Sequence, residues 1–197
     1  MRMMYPNVST ARFTTLMNAI NLLLQRQSNP LLTTPAPDKL STEQIIAAGM
    51  RVPDHGGLQP WHFTLVSGDG LQKMSELFVD ASTDIKEANL AKIAKMPFRA
   101  PLIIVISTDY KDHDKVPVQE QLITAGCCVQ AMQMAAVALG FGAIWRTGAL
   151  ATNAKVKAGL DVSAKNDIVG FLYVGSACKT QTIKKAKKTD GKVSFWD

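Results

Sequence analysis

Residue patterns of hydrolytic, phosphoryl-transfer and metal-dependent enzymes are missing from this sequence. It contains no Gly-x-Ser-x-Gly elbow, no Walker phosphate loop and no His-Glu-x-x-His pair. Its 3 histidines, His55, His62 and His113, have none of the spacings that zinc ligands use. We therefore expect no metal site and no catalytic residue of these classes.

Cysteine is also scarce. The 3 cysteines, Cys127, Cys128 and Cys178, form no Cys-x-x-Cys pair, and their odd number argues against a zinc ribbon and a secreted disulfide scaffold. Residues 1–13 have no apolar run of the kind a signal peptide needs. We expect a cytoplasmic protein in which 1–13 is a loose extension, Met17 is an alternative start and 14–197 is one domain.

The sequence has fewer acidic than basic residues, 16 against 22, so its net charge is +6. Much of the excess lies near the end, in Lys179, Lys184, Lys185, Lys187, Lys188 and Lys192. No aromatic residues interleave with these lysines to stack on bases, so a solvated surface is favoured over a nucleic-acid interface. A basic nucleic-acid or regulatory binding module without turnover stays as an alternative.

Helical patterns occupy several parts of the chain. Leu16, Ile20, Leu23 and Leu24 follow helical spacing, and Pro30 forbids continuation, so Arg26 lies in the last turn. Ser41 and Gln44 predict the capping box of a second helix that ends by Pro53. The segment from Gln121 to Leu139 is uncharged and predicts a helix that is buried on all sides. Its glutamines argue against the rival interpretation, a membrane span.

Strand patterns alternate with these helices. Residues 61–65 alternate in polarity, and 102–106 is a short β-branched run typical of a strand covered on both faces. Residues 143–147 and 168–174 predict two further strands. This order favours an α+β fold, a three-layer α/β/α sandwich around a mixed central sheet.

Three polar patches lie at the ends of these elements. The first patch is Arg26, Gln27 and Ser28, the second patch is Arg51, His55 and Gln59, and the third patch is Trp145, Arg146 and Thr147. Together they offer cations for a phosphate and planar donors for a heteroaromatic edge. Structural alternatives exist, since Arg26 can stabilise a helix dipole and His55 can be a turn residue. Arg146 is the only charge between Gln121 and Lys155, and it needs an anionic partner.

Seven segments in this order resemble the nitroreductase family, in its compact NAD(P)H-dependent bacterial branch. They are residues 22–28 (LLLQRQS), 48–55 (AGMRVPDH), 59–63 (QPWHF), 97–101 (PFRAP), 132–136 (MQMAA), 140–148 (GFGAIWRTG) and 169–175 (VGFLYVG). The likeness covers residues 17–176. It implies the nitroreductase-like FMN-binding fold and a homodimer with one FMN in each of two clefts between the subunits.

The resemblance also gives the three patches a common ligand. It implies that the first and third patches of one subunit bind the FMN phosphate and ring edge, while Arg51 and His55 reach in from the other subunit, with Gln59 a weaker candidate. It implies ping-pong hydride transfer from NAD(P)H through FMN to a nitroaromatic, quinone or similar acceptor. Flavin fragmentation or reductive dehalogenation on the same fold is the alternative. We expect neither nucleic acid nor membrane as a partner.

Two departures from the family pattern concern the phosphate. Gln27 stands where the family usually has a second arginine, and a lysine-rich stretch replaces the usual aromatic and proline-rich end. Lys184 is a candidate to restore the missing phosphate contact.

Overall fold

The computed structural model describes residues 19–83, 89–179 and 181–196, so the expected extension 1–13 and Leu16 lie outside the described residues. The helices are α1 (Ala19–Gln25), α2 (Lys39–Gly49), α3 (Asp69–Asp80), α4 (Leu90–Ala94), α5 (Val118–Ala138), α6 (Ala149–Thr152) and α7 (Ala154–Gly159). The strands are β1 (Leu32–Thr33), β2 (Trp61–Ser67), β3 (Leu102–Thr108), β4 (Gly142–Arg146) and β5 (Ile168–Ala177). Single 3-10 turns cover His55–Gly57 and Pro97–Arg99.

The five strands form one sheet in the order β1-β5-β3-β2, with β4 also paired to β5. All four pairings among the described strands are antiparallel, where we expected a mixed sheet. The reason is the position of β5, which inserts between β3 and β4. The crossover through α5 leaves β3 and β4 pointing the same way, but they are not neighbours. Every residue of β3 is buried, which confirms it as a central strand.

Helices cover both faces of the sheet, and this confirms the three-layer sandwich. Side chains of a strand alternate between faces. Val105 and Phe171 therefore pack with Phe78 of α3 in one core. Ile104 and Leu172 pack with Val129 of α5 in the other.

Helix α5 is less buried than the sequence predicts. Ala125, Val129 and Met132 are fully buried, but Ile123 is 66% exposed and Leu122 is exposed as well. The expectation of burial on all sides is therefore wrong for the single chain. By length and composition α5 could cross a membrane, but 44% of its most apolar window is buried within the fold. Its contacts with α2, β3, β4 and β5 make it the core helix of this sandwich.

The start of α2 and the exposure of α1 differ from the sequence-based expectation. Helix α2 begins before Ser41, because Asp38 Oδ1 accepts a hydrogen bond of 2.7 Å from the Ser41 backbone N–H and caps the helix. The apolar residues of α1 face solvent, with Leu23 59% and Leu24 77% exposed. The part of the predicted stripe that the structure describes is thus helical, and its Leu23 and Leu24 side chains are exposed to solvent.

Candidate functional site

The first patch lies where α1 meets the start of β4. The Arg26 backbone N–H still bonds Leu22 O at 3.0 Å, and the chain then turns so that Asn29 N–H donates to Ala143 O at 3.0 Å. Arg26 is half-buried. Its Nη1 atom is buried and has no hydrogen-bond partner among the described residues. A buried guanidinium nitrogen without an acceptor marks a place where an anion would be stabilised.

The C-terminal segment covers this patch. Gln27 Nε2 donates to Thr182 O at 2.8 Å, and Gln181 Nε2 donates to Ser28 O at 3.3 Å. A cavity of about 390 Å³ lies between the two segments, lined by Arg26, Gln27, Ser28, Lys184, Lys185, Lys187 and three apolar or neutral neighbours. Its lining has four cations and no acid. The structure therefore brings Lys184, which sequence reasoning proposed, to the first patch together with two further lysines that it did not single out.

The second patch occupies a tight loop that its own backbone holds. Asp54 Oδ2 accepts a hydrogen bond of 2.8 Å from Gln59 N–H, and Asp54 O accepts one of 3.2 Å from Gly57 N–H. Gly56, Gly57 and Gln59 all have positive φ, which glycine adopts readily and glutamine does not. Arg51 is exposed at the start of the loop. The loop is thus rigid, with its polar side chains outward.

His55 has a partner that the sequence did not reveal. Its Nδ1 lies 2.8 Å from Oε2 of Glu120, in the first turn of α5. The two residues are far apart in the chain, and no spacing rule links them. Trp61, interpreted from the sequence as packing, is 8% exposed and stacks on Phe63, which confirms that role.

The third patch lies at the end of β4, and its side chains point to opposite faces. The Trp145 indole N–H donates to Val169 O at 3.2 Å, and its ring is 37% exposed. The Arg146 guanidinium lies 5.7 Å from the centre of the Tyr173 ring. Arg146 Nε is buried and unpartnered, and no described carboxylate pairs with this side chain. Burial, and next the charge of Arg99, lower the pKa of Arg146. Thr147 follows the strand and is exposed.

Within one chain the patches do not form a single cleft. None of five surface cavities of the described residues is lined by more than one patch. Arg26 shares a cavity with Val137, near the carboxyl end of α5, whereas His55 binds Glu120 at its amino end. These ends are roughly 17 residues apart on one helix, or about 25 Å at 1.5 Å per residue. The first and second patches of one chain therefore cannot hold one small ligand between them.

The residues present fit a phosphate-bearing aromatic cofactor. Arg26 and Arg146 each offer a buried N–H without an acceptor, and the lysine-lined cavity adds positive charge beside Arg26. Guanidinium and ammonium groups are the donors that phosphate oxygens prefer. An exposed indole at Trp145 supplies a planar surface. Among the described residues no cluster of His, Cys, Asp and Glu could hold a metal.

Comparison with known proteins identifies the family. Residues 24–176 match the nitroreductase family. The chain is 44% identical over 164 residues to the Escherichia coli (strain K12) protein named "Putative NAD(P)H nitroreductase YdjA", a match that covers 81% of this chain and 88% of the relative. A Haemophilus influenzae protein with the same NAD(P)H nitroreductase description is 34% identical over 163 residues, covering 81% and 89%.

Solved structures agree on the fold. A nitroreductase-like protein from Bacillus cereus superposes with a TM-score of 0.81 at 23% identity, covering 96% of this chain and 100% of that one. A Bacteroides fragilis nitroreductase with bound FMN gives a TM-score of 0.71 at 18% identity, covering 90% and 98%. The family match spans most of the chain, and the resemblance inferred from the sequence is confirmed: the chain belongs to the nitroreductase family.

Proposed function

We propose that this protein is an FMN-dependent oxidoreductase that passes hydride equivalents from NAD(P)H to a nitroaromatic, quinone or similar acceptor in a ping-pong cycle. Family membership and the NAD(P)H nitroreductase relatives support the donor and the reaction class. The FMN bound by the Bacteroides fragilis structure supports the cofactor. The ping-pong cycle and the acceptor class rest on the family resemblance. In such a cycle the same cleft binds the donor first and the acceptor afterwards.

The working unit in this proposal is a homodimer. The observation that supports it is the separation of about 25 Å between the first and second patches along α5, because the family resemblance assigns both patches to one FMN and a single chain does not bring them together. The exposed apolar side chains Leu23 and Leu24 of α1 and Ile123 of α5 give the chain an apolar surface for association. Closure with two-fold symmetry then makes two identical clefts, each with the first patch of one chain and the second of the other.

The residues of the cleft bind and orient. Arg26, Ser28 and Lys184 hold the phosphate, and Gln27 fixes the C-terminal segment beside them through Thr182. When bound, FMN supplies the two-electron chemistry between NAD(P)H and the acceptor. Trp145 and Thr147 border the ring, while Arg146, which lies over Tyr173 on the other face of β4, adds positive charge at the end of the strand. Arg51 and His55 of the second chain close the cleft.

This division of labour agrees with the lack of hydrolytic, phosphoryl-transfer and metal-site motifs in the sequence. The protein excludes water and positions both substrates, while solvent supplies the protons. The few unpaired cysteines, all free in the structure, suit the proposed cytoplasmic location.

An absorbance spectrum of the purified protein, with and without added FMN, tests the proposal. We expect a yellow protein that NADH or NADPH bleaches in the absence of oxygen, and whose colour returns on adding a nitroaromatic or a quinone. Parallel double-reciprocal plots are expected for the ping-pong cycle. A colourless protein that FMN cannot reconstitute would overturn the proposal, and salt-dependent DNA binding by such a protein would favour the binding module instead. Cleaved flavin or released halide among the products would favour the alternative reactions.

A further inference from the structure

Among the described residues, Glu120 is the one acid whose side chain contacts a side chain of the three patches, that of His55. Its Oε2 atom lies 2.8 Å from His55 Nδ1. Both side chains are open to solvent, 61% for His55 and 47% for Glu120. The pair therefore sits at the mouth of the second patch and not in a core.

Stability gives little reason for this pair. Exposed ion pairs contribute about 0.2–1 kcal/mol, and many contribute nothing measurable. The loop is already fixed by the two hydrogen bonds to Asp54 and by packing of Gly56 near Val116. What the loop backbone leaves free is the rotation of the imidazole ring about its side-chain bonds, and this is what Glu120 restrains.

The carboxylate of Glu120 determines which ring nitrogen of His55 carries a proton. It lies in the first turn of α5, a helix of 21 residues, where the positive end of the dipole stabilises negative charge. An ionised carboxylate only accepts hydrogen bonds, so the facing Nδ1 must carry a proton. The other ring nitrogen, Nε2, then faces away from Glu120. A neutral His55 would present it as an acceptor, and a protonated His55 would present it as a donor.

We propose that Glu120 is a positioning residue that holds His55 in the Nδ1–H form and presents Nε2 to the ligand in the cleft. Carboxylates that bind the second nitrogen of a functional histidine fix both its tautomer and its orientation. The identity of the ligand rests on the proposed function. The tautomer of His55 does not, and it can be measured without any flavin.

The first test is nitrogen-15 NMR of the histidine rings in the flavin-free protein, at alkaline pH where imidazoles are neutral. The chain has 3 histidines, and the His55→Asn variant assigns the signal. We expect His55 to be the Nδ1–H tautomer in the native chain and in Glu120→Gln, whose amide oxygen still accepts the bond. In Glu120→Ala the signal should shift toward the Nε2–H tautomer. A native Nε2–H tautomer, or an unchanged signal in Glu120→Ala, overturns the proposal.

The second test is kinetic, on the FMN-loaded protein. Loss of the partner that orients a metal-bound histidine costs about 10- to 100-fold in activity. His55 binds no metal in this proposal, so we expect the lower end, with Glu120→Ala lowering kcat/KM for NAD(P)H oxidation about 10-fold. Glu120→Gln should recover most of that loss. In a His55→Ala background, removal of Glu120 should change kcat/KM less than about 2-fold, because the two residues act through one contact.

Glu76→Gln is the matched control, since it removes one exposed carboxylate on α3, whose hydrogen bond is local to that helix. It should change neither readout. A full Glu120 effect in the His55→Ala background would overturn the positioning role. The NMR result stands even if no flavin binds, so failure of the proposed function and failure of this inference give different outcomes.

Discussion

Replacing Arg26 with alanine separates a ligand-binding role from a structural one. In the free protein the buried Nη1 atom has no acceptor among the described residues, and an unsatisfied buried donor costs about 1–3 kcal/mol. Removal of the Arg26 side chain should therefore lower the free energy of unfolding of the flavin-free protein only by the contribution that packing of its aliphatic stem makes. In the complex, a charge-assisted hydrogen bond to phosphate is worth about 1.5–3 kcal/mol, so Kd for FMN should rise about 10- to 150-fold.

Two measurements on Arg26→Ala check this prediction. Quenching of flavin fluorescence on titration with flavin-free protein gives Kd, and thermal unfolding of the same preparation gives the stability. Lys73→Ala is the matched control, because it removes one exposed cation from α3 and should leave Kd unchanged. Arg146→Ala should also weaken FMN binding, by about 1–3 kcal/mol, while folding survives in excess flavin.

The refuting result has a defined form. If Arg26→Ala lowered the stability of the flavin-free protein and left Kd for FMN unchanged, the guanidinium would be stabilising the carboxyl end of α1. The buried Nη1 atom would then carry no information about a ligand, and the phosphate site would have to lie elsewhere. An unchanged Kd in Arg146→Ala would likewise remove the third patch from the site.

Two further predictions concern the scaffold around the site. Gly170→Ala should destabilise the fold by about 1–3 kcal/mol in thermal unfolding, because the new methyl group would overlap the Trp145 indole. Asp167→Asn should make the free energy of unfolding less sensitive to acid. Burial raises the pKa of Asp167, but hydrogen bonds from Tyr110 and Lys157 outweigh burial and lower this pKa overall. That contribution is present above the unfolded pKa of about 4 and is lost below it, so native stability should fall more steeply there than in the variant, as acid titration of unfolding would show.

Local patterns predicted most of the elements, because they depend on neighbours in the chain. The apolar run at 102–106 predicted a fully covered strand, and β3 is buried along its whole length. The start of α2 was missed by three residues, since Asp38 and Ser41 are both good caps and local propensity does not choose between them. Here the structure chooses Asp38, whose carboxylate reaches the Ser41 N–H.

Long-range arrangement was beyond these patterns. The insertion of β5 between β3 and β4 is decided by how sheet and helices pack together, so the antiparallel order could not be derived from the spacing of strands. The sequence showed that α5 carries no charge from Gln121 onward, but not which of its sides the chain itself covers. The pairing of His55 with Glu120 also depends on the fold, because the loop and α5 meet only after the sheet has formed.

If the proposed function is correct, the lysine-rich end offsets a departure from the family pattern. Gln27 stands where the resemblance implies a second arginine, and its amide donates to Thr182 O and ties the C-terminal segment to the first patch. Three lysines then line one cavity with Arg26, and four like charges around a space without an acid repel each other unless an anion enters. We interpret Gln27 as an anchor that exchanges one direct cation for a group of lysines. The sequence alone predicted solvated surface for the same lysines, because their position beside Arg26 depends on amide contacts across the fold, from Gln27 to Thr182 and from Gln181 to Ser28.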